Sequence, residues 1–225
     1  MEMLFVLKAI LLGVVQGLTE FLPVSSSGHL VIGSRILGFQ EPGIVFEVFL
    51  HLGTLVAVIL AFKKELLQMV RAFVTAPAVR RADPVLADSF RWDINIIVAT
   101  LPAVVAGLLL KDAIDRIFDT IQITYTMLAV TGVLMLLTPL LRDRGSNITW
   151  PRALVIGIAQ AMAIMPGLSR SGSTIFAGML LGINRETAAR FSFIMSIPAI
   201  LGAVVLKAGE VFAAPPPAAE LVAIA

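Results

Sequence analysis

No cysteine occurs anywhere in the chain, which excludes a disulfide framework, a thiolate zinc site and a thiol nucleophile. Charge is scarce too. Asp, Glu, Lys and Arg make up 14% of the residues, where soluble domains carry roughly a quarter. Lys+Arg 17 against Asp+Glu 15 leaves a net charge of +2, with no basic run, so nucleic-acid binding is excluded. Histidine occurs twice, at His29 and His51, so few groups can titrate near neutrality. What fills the chain instead is apolar: 58% hydrophobic residues and a mean hydropathy of +0.96. Disorder requires the opposite composition. The 225 residues read as one integral membrane domain, with membrane lipids as its surroundings.

A bilayer core takes about 20 apolar residues as helix. Ile44–Phe62, Ile94–Leu110, Ile121–Leu141 and a stretch from about Thr187 to Leu206 meet that requirement. Glu47 and His51 interrupt the first of these, one helical turn apart, and Arg190 lies in the first turn of the last. Pro102 and Pro198 fall inside spans, which a bundle tolerates. Orientation follows Lys and Arg in short loops. Lys63, Lys64, Arg71, Arg80, Arg81 and Arg91 crowd the loop 63–91, and Arg142, Arg144 and Arg152 the loop 142–152. The loop 111–120 offers Lys111 and Arg116 against Asp112, Asp115 and Asp119. Alternation places the first and third loops in the cytoplasm and the second outside. Lys8 precedes an apolar run like that of a signal peptide, but Gln16 and Glu20 interrupt the run and no small-residue cleavage site follows. The segment is expected to be retained.

An internal repeat organises the rest. Shifted by 144 positions, Ala9, Gly13 and Gln16 overlay Ala153, Gly157 and Gln160. Ser25, Ser27 and Gly28 overlay Ser169, Ser171 and Gly172, and Leu37-Gly38 overlays Leu181-Gly182, eight identities over the 31 positions 9–39. Each copy has a short apolar stretch, a break rich in Pro, Ser and Gly, then another short apolar stretch. Neither half is long enough to cross comfortably, so each copy is expected to enter the membrane and return on the same side. Irregular backbone at that depth is allowed only where protein buries it or it lines a wet cavity. Three spans between the copies make the second hairpin enter from the opposite face. The expected fold is an all-α polytopic membrane protein with inverted-topology repeats. Repeat 1 covers about 1–110 (re-entrant hairpin 9–38), and repeat 2 about 121–225 (re-entrant hairpin 153–183). Transporters share this architecture, so it does not by itself decide between transport and catalysis.

The breaks hold the chemistry. Gln16 and Glu20 are four apart, on one helix face, and an ionisable group at that depth needs a cavity and a partner. After Pro23 come Ser25, Ser26, Ser27, Gly28 and His29. Free N–H groups at a helix start form an anion site, which serine hydroxyls supplement. The second break reads Pro166, Gly167, Leu168, Ser169, Arg170, Ser171, Gly172, Ser173, Thr174. It repeats that chemistry around a guanidinium, which keeps its charge on burial and binds phosphate oxygens bidentately. The two breaks together read as a phosphate or diphosphate site with acid–base groups. A pure anion pore has no use for Glu20, whose charge opposes the anion. The carboxylate suits a general base or a ligand for a divalent ion bridging a diphosphate.

These motifs, Gln16-x-x-x-Glu20, Ser25-Ser26-Ser27-Gly28-His29 and Pro166-Gly-x-Ser169-Arg170-Ser171-x-x-Thr174, resemble the signatures of the bacterial undecaprenyl-diphosphate phosphatase family, the bacitracin-resistance type. The resemblance runs from the first residues to about Val205. It implies hydrolysis of undecaprenyl diphosphate to undecaprenyl phosphate and inorganic phosphate, recycling the lipid carrier of cell-wall synthesis. It also implies the bacterial plasma membrane, a site opening to the periplasmic side, a requirement for Mg²⁺ or Ca²⁺, and a homodimer. By position, the family's glutamate pair falls on Gln16 and Glu20, its serines on Ser25 and Ser26, its histidine on His29, and its arginine motif on Ser169, Arg170, Ser171 and Thr174. Family members continue through further hydrophobic spans where this chain reaches Pro215-Pro216-Pro217 and ends, so it reads as C-terminally shortened with both hairpins kept.

On this reading Glu20, Ser26, His29 and Arg170 are catalytic. Ser25, Ser27, Ser169, Ser171 and Thr174 bind phosphate, while Gln16, Gly28 and Gly172 support them. Ser26 is the candidate nucleophile, Glu20 the base or metal ligand and His29 a general acid or base. Direct attack by water oriented by Glu20 is the alternative. A transporter of a polyprenyl phosphate or other anion is the rival function.

Overall fold

The structure, a computed structural model, describes residues 2–39, 44–110 and 120–213, and all of its regular structure there is helical. The loop 111–119 and the proline run at 215–217 lie outside the described residues, as does the side chain of Glu47.

The first hairpin pairs α1 (Glu2–Phe21) with α2 (Ser26–Leu37). Phe5 stacks on Phe39 with ring centroids 4.9 Å apart, and Leu12 packs with Leu30 in one cluster, so the two helices run antiparallel. At 12 residues, α2 is about 18 Å long and stops short of crossing. α1 differs from the expected short arm. Its apolar face begins at Met3 rather than Ala9, which makes it a 20-residue helix long enough to span a bilayer.

α3 (Ile44–Ala61) follows, packed on α1 through Phe46 and Leu50. The expected loop 63–91 is largely helical. It contains α4 (Lys63–Val74), α5 (Pro77–Ala82) and the first turns of α6 (Pro84–Leu109). α6 starts ten residues before the expected span because Asp83 caps it, accepting from the N–H groups of Val85 and Leu86, and Pro84 presets its first turn.

α7 (Ile121–Leu137) ends in a 3-10 turn at Thr138–Leu140. The second hairpin is α8 (Trp150–Met162) and α9 (Arg170–Leu180), each too short to cross. The backbone N–H groups of Arg144 and Ser146 both donate to Gly182 O, which closes the open end of this hairpin. α10 (Arg185–Ala213) begins just before the expected Thr187, capped by Asn184 Oδ1 accepting from Thr187 N at 2.8 Å.

The two hairpins open toward opposite ends of α3. Phe46, near the start of α3, packs at the mouth of the first hairpin beside Phe39. The mouth of the second leads into α10, whose Phe193 packs against Phe62 just past the other end of α3, and Asn95 Nδ2 in the middle of α6 donates to Ile148 O at 2.9 Å. Gly157 explains the close seating of α8 on α6: a Cβ there would lie 2.3 Å from Ala99 O. Ala99, Ile156, Phe191 and Met195 form the main core, and a smaller one joins Ala9, Leu12, Leu30, Phe39 and Phe46. Leu101, Leu108 and Leu136 are among many apolar side chains left outward. α1, α6, α7 and α10 are each long and apolar enough to cross a membrane. The chain is a multi-pass membrane protein.

Candidate active site

The tips of the two hairpins meet. In the first break, Ser25 holds φ at 70°, the left-handed region that a serine rarely occupies. Its Oγ accepts from Gly28 N at 3.3 Å as the N-cap of α2. That turn puts Ser26 at the first position of α2, facing back to α1, where its hydroxyl donates to Glu20 Oε2. Gln16 Nε2 donates to the same oxygen at 3.0 Å from one turn earlier. Gly28 lies close under Leu128: a Cβ there would come within 2.6 Å of Leu128 Cδ2 and would push that side chain aside.

The second break turns at Gly167, with φ at 90° and no room for a Cβ, which would lie 2.2 Å from Thr124 O. Ser169 caps α9, its Oγ accepting from Gly172 N at 3.0 Å. Arg170, the first residue of α9, reaches across so that its Nη2 donates to Glu20 Oε1 at 2.5 Å. Gly167 N donates to Ser27 Oγ at 3.3 Å, and Ser171 Oγ donates to Leu22 O at 3.4 Å, so both breaks are sewn together.

Glu20 therefore sits under Arg170, Ser26 and Gln16, and its carboxylate is buried. Two atoms beside it are buried without hydrogen-bond partners: Arg170 Nη1, a donor, and Gln16 Oε1, an acceptor. A buried unpaired polar group costs about 1–3 kcal/mol or more if charged. Both atoms flank the Glu20 carboxylate and are left available to a further partner. His29 Nδ1 lies 2.8 Å from Ser25 O. A carbonyl only accepts, so Nδ1 carries the proton of that bond.

Thr174 points elsewhere. Its hydroxyl lies 2.7 Å from Ser192 Oγ on α10 and donates to Arg170 O at 2.8 Å, which ties α9 to α10 behind the arginine.

Two contributors were missed in the sequence. Thr131 of α7 donates to Gly167 O and accepts from Ser169 N, both at 2.9 Å, and so holds the second break at both ends. Ser192 braces Thr174. A polar side chain in a lipid-depth span needs a partner, and that signal marks Thr131 and Ser192. It does not say which residues they serve.

Paired helix breaks that bury a carboxylate, a guanidinium and serine hydroxyls in a membrane protein have the donors that a phosphorylated ligand takes. The profile of the family described as Bacitracin resistance protein BacA matches residues 9–224, and the chain belongs to that family. Among its relatives, the undecaprenyl-diphosphatase of Desulforapulum autotrophicum is 45% identical over 92% of this chain and 78% of its own length. The one from Rubrobacter xylanophilus is 45% identical over 94% and 79%. The one from Methanosphaera stadtmanae is 41% identical over 93% and 79%.

Proposed function

We infer that this protein hydrolyses undecaprenyl diphosphate to undecaprenyl phosphate and inorganic phosphate. The observation that carries the reading is the unpaired Arg170 Nη1 beside a carboxylate that already holds a serine hydroxyl. The terminal phosphoryl group sits where Nη1 can donate to its oxygens, with the N–H groups at the start of α9 as further donors. Ser26 Oγ attacks the terminal phosphorus and passes its proton to Glu20. The bond to the bridging oxygen breaks, and undecaprenyl phosphate leaves as His29 supplies a proton. Water, deprotonated by His29 once it has given up its proton, then attacks the phosphoserine, and Ser26 Oγ takes its proton back from Glu20 as inorganic phosphate is released. The Ser26–Glu20 hydrogen bond favours this route over direct attack by water.

Mg²⁺ and Ca²⁺ take oxygen ligands, and Mg²⁺ commonly uses one or two carboxylates plus substrate phosphates. Gln16 Oε1, Glu20 and Ser26 Oγ fit that chemistry. Among the described residues no group of three or more His, Cys, Asp or Glu stands together, so substrate oxygens would complete the shell. A cation held there supplies charge neutralisation for the diphosphate.

The basic residues of the loop 63–91 support a cytoplasmic location for that end. The mouth of the first hairpin then faces the periplasmic side of the plasma membrane. A homodimer is the assembly we expect, and light scattering in detergent tests it.

The test of function is phosphate release from undecaprenyl diphosphate with Mg²⁺ or Ca²⁺ present. Glu20→Ala and Arg170→Ala are each expected to lose about 10²- to 10³-fold in turnover. A folded wild-type chain that moves a polyprenyl phosphate across vesicles but never releases phosphate would establish the carrier instead.

A further inference from the structure

Both breaks lean on α7, and they meet the same face of it. Thr124, Leu128, Thr131 and Met135 recur at intervals of four, three and four residues, so they share one side of the helix. Tyr125, Val130, Val133 and Leu136, on its other sides, are exposed. At the second break, Thr124 O and Leu128 N leave no room for a Cβ at Gly167, while Thr131 holds Gly167 O and Ser169 N. The second break and α7 therefore form one unit.

The first break meets that unit at Leu128. A Cβ at Gly28, the third residue of α2, would lie 2.6, 2.8 and 2.9 Å from Leu128 Cδ2, Cγ and Cδ1. Two turns further along α7, Met135 stands over Gly172, the third residue of α9, with its Cε 3.2 Å from the corresponding Cβ position. Gly28 and Gly172 occupy the same position of the two repeat copies. Glycine is unfavourable inside a helix, and each of these two makes room for a side chain of α7. The helix is a bar laid across both helix starts, with Leu128 seated on one and Met135 on the other.

Little else can keep the two starts at a fixed separation. The hydrogen bonds from Gly167 N to Ser27 Oγ and from Ser171 Oγ to Leu22 O measure 3.3 and 3.4 Å. Both exceed the roughly 3 Å at which such bonds are usually found. The pair between Arg170 and Glu20 weakens when Glu20 takes the Ser26 proton. An apolar contact keeps its shape through that change of charge.

We propose that Leu128 is a positioning residue for the reaction. Its side chain spaces Ser26 and His29, carried by α2, from Arg170, carried by α9, and holds that spacing while Glu20 is protonated. The inference rests on the phosphatase reading above.

The test is a double-mutant cycle on undecaprenyl diphosphate hydrolysis in lipid nanodiscs, with kcat and KM taken per folded enzyme. Leu128→Ala and Gly28→Ala are each expected to lower kcat by at least about tenfold while KM stays within about threefold of wild type, since a misplacement of about 1 Å can cost that much or more. All three atoms that crowd Gly28 leave with Leu128→Ala, so the double variant is expected to turn over faster than either single one. Independent sites would instead multiply their losses, to about a hundredfold. Leu128→Met keeps the volume and is expected to stay within about threefold of wild type. Val133→Ala, on the outward side of α7, is expected to match wild type. Leu128 is only half-buried, so its alanine variant is expected to fold, which a melting temperature in detergent checks. If Gly28→Ala does not fold, the comparison of Leu128→Ala with Leu128→Met decides. Unchanged kcat in Leu128→Ala, an equal loss in Leu128→Met, or multiplied losses in the double variant overturns the proposal alone. A wild type that releases no phosphate overturns the phosphatase reading and the positioning role with it.

Discussion

At the residue scale, the site is a set of polar atoms whose partners are nearly, but not fully, supplied by the protein. Arg170 spends Nη2 on Glu20 and leaves Nη1 buried and unpaired. A lysine keeps the charge but has one ammonium and no fork. Arg170→Lys is therefore expected to retain the fold, seen by circular dichroism, while kcat falls by about 10². Thr131 acts through the backbone of the second break. Thr131→Val leaves two backbone groups unpaired and is expected to lower kcat more than it changes KM, whereas Thr131→Ser, which keeps the hydroxyl, is expected to restore it. A purely structural threonine would instead show a loss of thermal stability that serine and valine share.

At the scale of the element, each hairpin works because its break is shaped by one residue in the left-handed region, Ser25 in the first and Gly167 in the second. The second is the less forgiving, because the path of α7 leaves no space for a Cβ at Gly167. Gly167→Ala is expected to destabilise by about 1–3 kcal/mol through strain and overpacking, read as a lower melting temperature in detergent. Gly53→Ala faces open space and is expected to leave that temperature nearly unchanged. The sequence sets Gly167 in a break and Gly53 inside a span, but the space around each is decided by the neighbouring helix. The sequence likewise marks Ser169-x-Ser171 and Thr174 as one phosphate-binding run, although the helical turn aims Thr174 at Ser192.

At the scale of the molecule, two hairpins entering from opposite ends bring residues 150 positions apart into one ion pair. Arg35, near the end of α2, and Arg81, in α5, are both exposed and lie toward opposite ends of the bundle. The chain has no cysteine, so single-cysteine variants report orientation cleanly. In intact cells, Arg35→Cys is expected to react with a membrane-impermeant thiol reagent, and Arg81→Cys only after the membrane is opened. The reverse pattern would invert the topology and place the mouth of the first hairpin in the cytoplasm.

By itself the sequence determined the solvent, the class of fold and the chemistry of the site. Hydropathy, scarce charge and the Pro, Ser and Gly breaks are local properties, and bilayer energetics allow few structures that satisfy them. Its two breaks also held Glu20, Ser26 and Arg170, which the structure brings together, because polar groups at that depth are costly enough to be conspicuous. The tertiary structure decided what depends on distance. It set the ion pair between Glu20 and Arg170, the grip of Thr131 on the second break, and the length of α1. It also left open space beside Gly17 and Gly53 but close packing at Gly157. Hydrogen bonds and van der Waals contacts act over a few ångströms between segments far apart in the chain, and no local pattern records which atoms will meet.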